Sequence, residues 1–190
     1  MTEERIQLAG LLRERSLREG DFVLSSGARS SYYIDARLTT MSGTGQVIIG
    51  RLGLAALDEE GWRPAVIGGL TLGADPVACA IVHTAALQGR HLDAFSVRKE
   101  RKAHGAGRLV EGNLAVGSEV VIVEDTITTG GSASRAIEAV EEADARVIGI
   151  LALVDREEGG RERLEEAGYP VHVMFTAAEL LRGGSPSGRR

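Results

Sequence analysis

Three features of this chain predict an α/β fold with a central, mostly parallel sheet flanked by helices. Hydrophobic runs of strand length alternate with helical patterns from about Ala65 to Phe175. Those runs are apolar along their whole length, as in strands covered on both faces. Acidic, hydroxyl-bearing and basic residues gather just beyond the ends of the runs, where sheets of this kind bind ligands.

The elements follow from local pattern. Ile6, Leu8, Leu11, Leu12 and Leu17 recur with a helical period and predict an opening helix of about four turns, ended by Gly20 and Asp21. Phe22 to Leu24 and Tyr32 to Asp35 read as short strands around a turn at Ser26 and Gly27. Thr44 to Leu57 is a second helix closed by Gly61. Strands at Ala65–Ile67, Leu92–Val97, Val120–Val123, Val147–Val154 and Val171–Phe175 alternate with helices at Asp75–Leu87, Ser132–Ala143 and Arg161–Ala167. A long polar stretch to about Asn113 separates the second and third of these strands. Residues 1–181 read as one domain, with about the first 40 forming a small N-terminal hood, and 182–190 as a disordered tail.

At 190 residues the chain is long enough for a substantial core. Its formal net charge of −5 argues against general binding to nucleic acid or an anionic membrane surface. No apolar run is long enough to span a bilayer, and the charged N-terminus does not read as a signal peptide. The single cysteine, Cys79, lies in the apolar run ADPVACAIV and reads as a small core residue; it fits a reducing cytoplasm. His83 and His172 read as structural, and Trp62 as packing on the surface of the core. The four histidines and Cys79 show no zinc-ligand spacing.

The segment VVIVEDTITTGGSASRAIEAV, from Val120 to Val140, carries the most chemistry. A β-branched strand leads to Glu124 and Asp125, then to a threonine- and glycine-rich turn, then to a helix opened by Ser132. Unsatisfied N–H groups and the positive end of the helix dipole converge at such a turn, and glycine lets a ligand approach the backbone. This is a phosphate cradle. The acids beside it could hold ribose hydroxyls, or a divalent metal through water. The plainer reading is a polar βα turn with a serine cap. The strand, the acids and the TxTTGGS run together favour the cradle. There is no GxxxxGKS or GxxxxGKT run and no GxGxxG after a strand, so neither a P-loop nor a dinucleotide fold is indicated.

Residues 98 to 108, RKERKAHGAGR, set Arg98, Lys99, Arg101, Lys102 and Arg108 against Glu100 alone. This cationic island begins where a strand ends. A solvated loop is the plain reading. Its position favours a lid that opens by self-repulsion and closes over a polyanion.

These segments resemble those of type I phosphoribosyltransferases, and more narrowly of orotate phosphoribosyltransferases. VVIVEDTITTGGS is similar to the motif that binds 5-phosphoribosyl 1-diphosphate throughout that fold. RKERKAHG resembles the orotate enzymes' lid, FVLSSGARSSYYIDAR their hood, GGLTLGADPVA their glycine-rich loop, and LVDREEGG the strand end bearing their base-reading arginine. The matches run in order from about Phe22 to Gly160.

The resemblance implies the type I phosphoribosyltransferase fold and a reaction. Orotate displaces pyrophosphate from carbon 1 of the ribose, giving orotidine 5′-monophosphate, a step of pyrimidine biosynthesis. It implies Mg²⁺ held mainly by the substrate, with no direct protein ligand, and a homodimer whose lid reaches the partner's site. Thr126, Ile127, Thr128, Thr129, Gly130, Gly131 and Ser132 would wrap the 5′-phosphate. Glu124 and Asp125 would take the ribose hydroxyls. Arg98, Lys99, Lys102 and His104 would hold the pyrophosphate. Orotate would meet Arg156, Thr128, Ser26, Gly27, Tyr32 and Tyr33. Asp155, at a strand end beside Arg156, reads from its position alone as a structural residue that orients it. Lys102, His104, Asp125 and Glu124 would be the catalytic set, although the chemistry needs no strong general base. Ser25, Leu72 and Gly73 stand where some relatives carry lysine, and Glu124 where others carry aspartate. Transfer to another base and a non-catalytic sensor of the diphosphate are the rival readings. Arg156 argues against a purine, which offers no carboxylate to a guanidinium.

Overall fold

The computed structural model describes residues 2–23, 27, 29–100 and 109–182. The chain opens with helix α1 (Glu3–Leu11), capped by the Thr2 hydroxyl, which accepts from the Arg5 N–H. One π-helical turn (Leu12–Ser16) follows, and Leu17 then enters strand β1 (Leu17–Val23), antiparallel to β2 (Arg29–Ile34). The opening helix therefore stops short of its expected end at Gly20. Leu8, Leu12 and Ser16 are buried at a spacing of four, Ile6 is exposed, and Leu17 pairs with Ile34 across the hairpin. Tertiary pairing overrides the local helical period here.

Next come α2 (Arg37–Thr40), α3 (Gly43–Glu59), β3 (Val66–Leu70), α4 (Ala74–Leu87), β4 (Asp93–Val97) and β5 (Val110–Gly112). The chain continues through β6 (Glu119–Ile127), α5 (Gly131–Glu141), β7 (Arg146–Asp155), α6 (Gly160–Glu166), β8 (Val171–Thr176) and α7 (Ala177–Arg182). Six strands form one sheet in the order β5-β4-β3-β6-β7-β8. Only β5 runs antiparallel to its neighbour. The expected mostly parallel sheet flanked by helices is what forms.

The pleat sorts the central strands between two cores. Val121, Val123, Leu151 and Leu153 face the layer of α1, α3, α4 and α7. Val120, Ile122, Ile150 and Ala152 face α5 and α6. Burying each such aliphatic side chain contributes about 1.5–3 kcal/mol, so the middle of the sheet is the most firmly held part of the fold.

Three short elements lie outside the sequence expectation. Strand β5 is an edge strand of three residues within the polar stretch. Helix α2 is a single turn. Helix α7 opens with a reciprocal cap: the Thr176 hydroxyl accepts from Glu179 N–H, and the Glu179 carboxylate from Thr176 N–H. Cys79 is exposed, contrary to expectation, because α4 turns Val77, Ala78 and Ile81 inward and leaves it outside. Trp62 is buried in the core, not at its surface, with its indole against Gly149. His172 Nδ1 lies 2.8 Å from Glu60 Oε1, consistent with a structural part. Among the described residues no helix is long and apolar enough to cross a membrane.

A Cβ at Gly149 would overlap the Trp62 ring. Gly149→Ala should therefore cost about 1–3 kcal/mol, the scale of overpacking. The melting temperature should fall by about 2–4 °C per kcal/mol, with a changed Trp62 fluorescence maximum reporting the displaced indole.

Candidate active site

Strand β6 supplies the site because it outruns its apolar segment. Its pairing with β7 continues through Thr126↔Val154 and Ile127↔Asp155. Glu124 and Asp125 are thus residues of the strand itself, not the first residues after it. Ladder pairing keeps the backbone regular while their side chains leave the sheet. Glu124 is 5% exposed, and its Oε1 has no hydrogen-bond partner. Burial, with the Asp125 charge adding to it, pushes the Glu124 carboxyl from its ordinary 4.5 up to about 8. Burial also raises Asp125, against the Thr126 N–H and Arg37, which favour its charged form.

Beyond Ile127 the chain turns into α5. Gly130 sits at φ 80° as the residue before the helix, a conformation that suits glycine, and no side chain caps the first turn. Thr126, Ile127, Thr128, Gly130, Gly131 and Ser132 line a small hollow at this helix start. Gly160 closes its far side, where a Cβ would overlap Thr128 O. The turn is braced by Arg163, whose Nη1 donates to Thr129 O at 3.0 Å.

Next to the hollow lies a cavity of about 280 Å³. It gathers Tyr33, Lys99, Glu124, Asp125, Thr126, Thr128, Ser132 and Arg156 from distant parts of the chain. Arg156 is 6% exposed. Its guanidinium lies 5.1 Å from the centre of the Tyr32 ring, and the Tyr32 hydroxyl donates to the Arg156 carbonyl at 3.2 Å. Nη2 stands 2.8 Å from Glu158 Oε1, close enough for an ion pair but not aligned as a hydrogen bond, so Nε and Nη2 lack an acceptor. Asp155 does not hold Arg156; its Oδ1 accepts from the Glu157 N–H at 2.8 Å and fixes the turn.

Arg98 lines an adjoining cavity of about 520 Å³ with Lys99, Thr71 and Ser96. Its Nη1 is 3.7 Å from Glu111 Oε1. Gly27 and Thr129 line neither cavity nor the hollow. Ser26, Lys102 and His104 lie outside the described residues, as do Leu24, Ser25 and the tail beyond Arg182.

Residues given no contact role in the sequence reading also meet here. Asp35 and Arg37 form a two-point pair, Nε–Oδ1 2.8 Å and Nη2–Oδ2 3.0 Å, on the cavity wall. The Arg37 hydrogen bonds hold the Asp35 carboxyl below its ordinary range. Thr71, Leu72 and Gly73 form another wall, and the Thr71–Leu72 peptide is cis. The signals were there: YIDAR places an acid and an arginine two apart, and LTLG follows a strand.

Comparison with known proteins identifies the family. Residues 58–169 match the phosphoribosyl transferase domain family. Orotate phosphoribosyltransferase of Aquifex aeolicus is 44% identical over 181 residues, covering 94% of this chain and 98% of that protein. The chain belongs to the orotate phosphoribosyltransferase family. The Mycobacterium avium member is 45% identical over 177 residues, covering 93% of this chain and 96% of its own. Among solved structures, Mycobacterium tuberculosis H37Rv orotate phosphoribosyltransferase in complex with 5-phospho-α-D-ribosyl 1-diphosphate superposes with a TM-score of 0.79 at 40% identity. That match covers 93% of this chain and 98% of the mycobacterial one.

The raised Glu124 carboxyl gives this family member a testable pH response. Between about pH 4.5 and 8 the folded chain keeps a proton that the unfolded chain has lost. Stability from this group is therefore full below pH 4.5 and falls as pH rises to about 8, by on the order of 1 kcal/mol per pH unit. Glu124→Gln, which cannot ionise, should gain on the native protein in melting temperature through that window in metal-free buffer. A difference that does not vary with pH would show that Glu124 is not the group titrating.

Proposed function

We propose that this protein transfers the 5-phosphoribosyl group from 5-phosphoribosyl 1-diphosphate to orotate, releasing pyrophosphate and orotidine 5′-monophosphate. One observation carries the reading. A buried guanidinium lacking acceptors, a buried acid pair and an uncapped helix start converge on one cavity. That set matches a ligand with a carboxylated base, a diol and a phosphate.

Each part has a role that its chemistry allows. The 5′-phosphate meets the N–H groups and hydroxyls of Thr126, Ile127, Thr128, Thr129, Gly130, Gly131 and Ser132. Glu124 and Asp125 take the ribose hydroxyls, and a Glu124 that keeps its proton can donate as well as accept. Arg156, held by Tyr32, forks the orotate carboxylate, with Thr128, Tyr33 and the Ser26–Gly27 turn beside the ring. Arg98, Lys99, Lys102 and His104 neutralise the departing pyrophosphate. Charge separates as the glycosidic bond breaks, so cations preorganised at the leaving end lower the barrier. Closure over the site excludes water that would otherwise consume the sugar.

Among the described residues no group of three or more His, Cys, Asp or Glu is arranged to hold a metal. The adjacent Glu124 and Asp125, with Glu124 Oε1 unpartnered, suit Mg²⁺ bound chiefly by substrate oxygens and reached through water, and the ion's charge would favour release of the Glu124 proton. When bound, the ion would offset charge on the diphosphate. We further propose that residues 1–181 act as one catalytic unit, that the protein works as a homodimer with a shared lid, and that it resides in the cytoplasm.

Loss of orotate absorbance with the diphosphate and Mg²⁺ tests the reading; turnover of a purine in place of orotate would overturn it. Lys102→Ala should lower kcat by about 10²- to 10³-fold, the scale of one transition-state charge contact, with orotidine monophosphate binding changed much less. Arg156→Lys should raise KM for orotate by about 10-fold or more, as a charged two-point hydrogen bond is lost.

A further inference from the structure

Asp75 opens helix α4 directly behind the Thr71–Gly73 loop. Its two oxygens are both taken. Oδ2 accepts from the Thr71 hydroxyl at 2.7 Å, and Oδ1 from the Ser96 hydroxyl at 2.7 Å. Thr71 belongs to the loop on the cavity wall, and Ser96 lies near the end of β4, two residues before Arg98. Thr71 N–H adds a bond to Val97 O at 2.9 Å. On the loop's other side Gly73 packs against Asp125, where a Cβ would stand 2.5 Å from Oδ1. One carboxylate thus ties together the wall beside the acid pair and the strand that delivers Arg98 and Lys99.

We propose that Asp75 is a positioning residue for the diphosphate donor, setting the Thr71–Gly73 loop against β4 through its two hydroxyl hydrogen bonds. The inference rests on the reading of the site as a phosphoribosyl diphosphate site. Each hydroxyl has a single proton, and both are committed to Asp75. On the cavity side Thr71 and Ser96 can therefore only accept. Both line the cavity with Lys99 and Arg98. They suit the hydrogens of an ammonium or guanidinium, not a phosphate oxygen. Asp75 thereby also fixes the polarity of that wall: it turns two hydroxyls that could have bound the anion directly into supports for the cations that bind it.

The test compares Asp75→Ala, Asp75→Asn and Thr71→Val by steady-state kinetics in both substrates. Asp75→Ala frees the loop and should raise KM for the diphosphate donor by about 10-fold or more, the scale of losing hydrogen bonds to a charged group. KM for orotate should stay within about two-fold, since Arg156 lies on another element. Asp75→Asn keeps both contacts, accepting from one hydroxyl and donating to the other, and should recover most of the loss. If Asp75→Ala fails to fold, Thr71→Val carries the test, with a smaller rise in the same KM alone. Equal rises for both substrates, or an unchanged donor KM, would overturn the assignment. So would an asparagine variant as impaired as the alanine one. A native protein that consumes no orotate would refute the underlying reading instead, before any variant is compared.

Discussion

The site exists because β6 is buried on both faces yet carries two acids, Glu124 and Asp125, before its last paired residues. At Glu124 its backbone is still laddered to β7, opposite Ala152, so the strand cannot bend to bring the carboxyl to water. The side chain stays where the ladder puts it, and its carboxyl takes the consequence by holding a proton far above its usual range. Beyond Ile127 the ladder ends and the chain must turn into α5. That turn leaves first-turn N–H groups without a side-chain acceptor. Desolvated acids and bare amides are costly in an empty protein. They persist here within a few residues of each other because the hydrophobic middle of the same strand holds them.

Missing side chains shape the site as much as present ones. Gly73 lets the loop touch Asp125, and Gly160 lets α6 start directly beneath Thr128 and Gly130. Gly160 meets backbone atoms, which no rotamer change can move, and Gly73 meets a carboxylate on a short side chain. Close packing at these two glycines leaves the turn little room to shift, which is the rigidity that a site acting by positioning requires.

The central strands, the turn into α5 and the place of Arg156 were legible because each is local: a hydrophobic run, a hydroxyl-rich turn, a cation at a strand end. What escaped the sequence was set by contacts between distant segments. Leu17 joined a strand because Ile34 lay opposite it. Glu124 and Asp125 became strand residues because β7 runs on beside them. Cys79 faces outward because of which side of α4 meets the sheet. Asp35 and Arg37 were read as part of a hood, and only folding brings their pair to the wall that Asp125 shares. Helix α7 is a different case, since Thr176 and Glu179 form a capping box that the chain displays openly.

The cations around the cavity are not idle before a ligand arrives. Arg37 is held by Asp35, Arg98 stands near Glu111, and Arg156 near Glu158. Such standby partners oppose collapse of these three guanidinium groups onto Glu124 and Asp125. They also change what binding means. On the proposed reading an incoming anion exchanges one carboxylate partner for another instead of filling an empty charge. The exchange is easy for Arg98, which is substantially exposed and whose pair contributes at most about 1 kcal/mol. For Arg156 it differs. The guanidinium is almost wholly buried, its contact with Glu158 leaves two nitrogens unsatisfied, and a planar carboxylate would supply the aligned acceptors that Glu158 does not. Recognition is therefore concentrated where the resident partner fits worst.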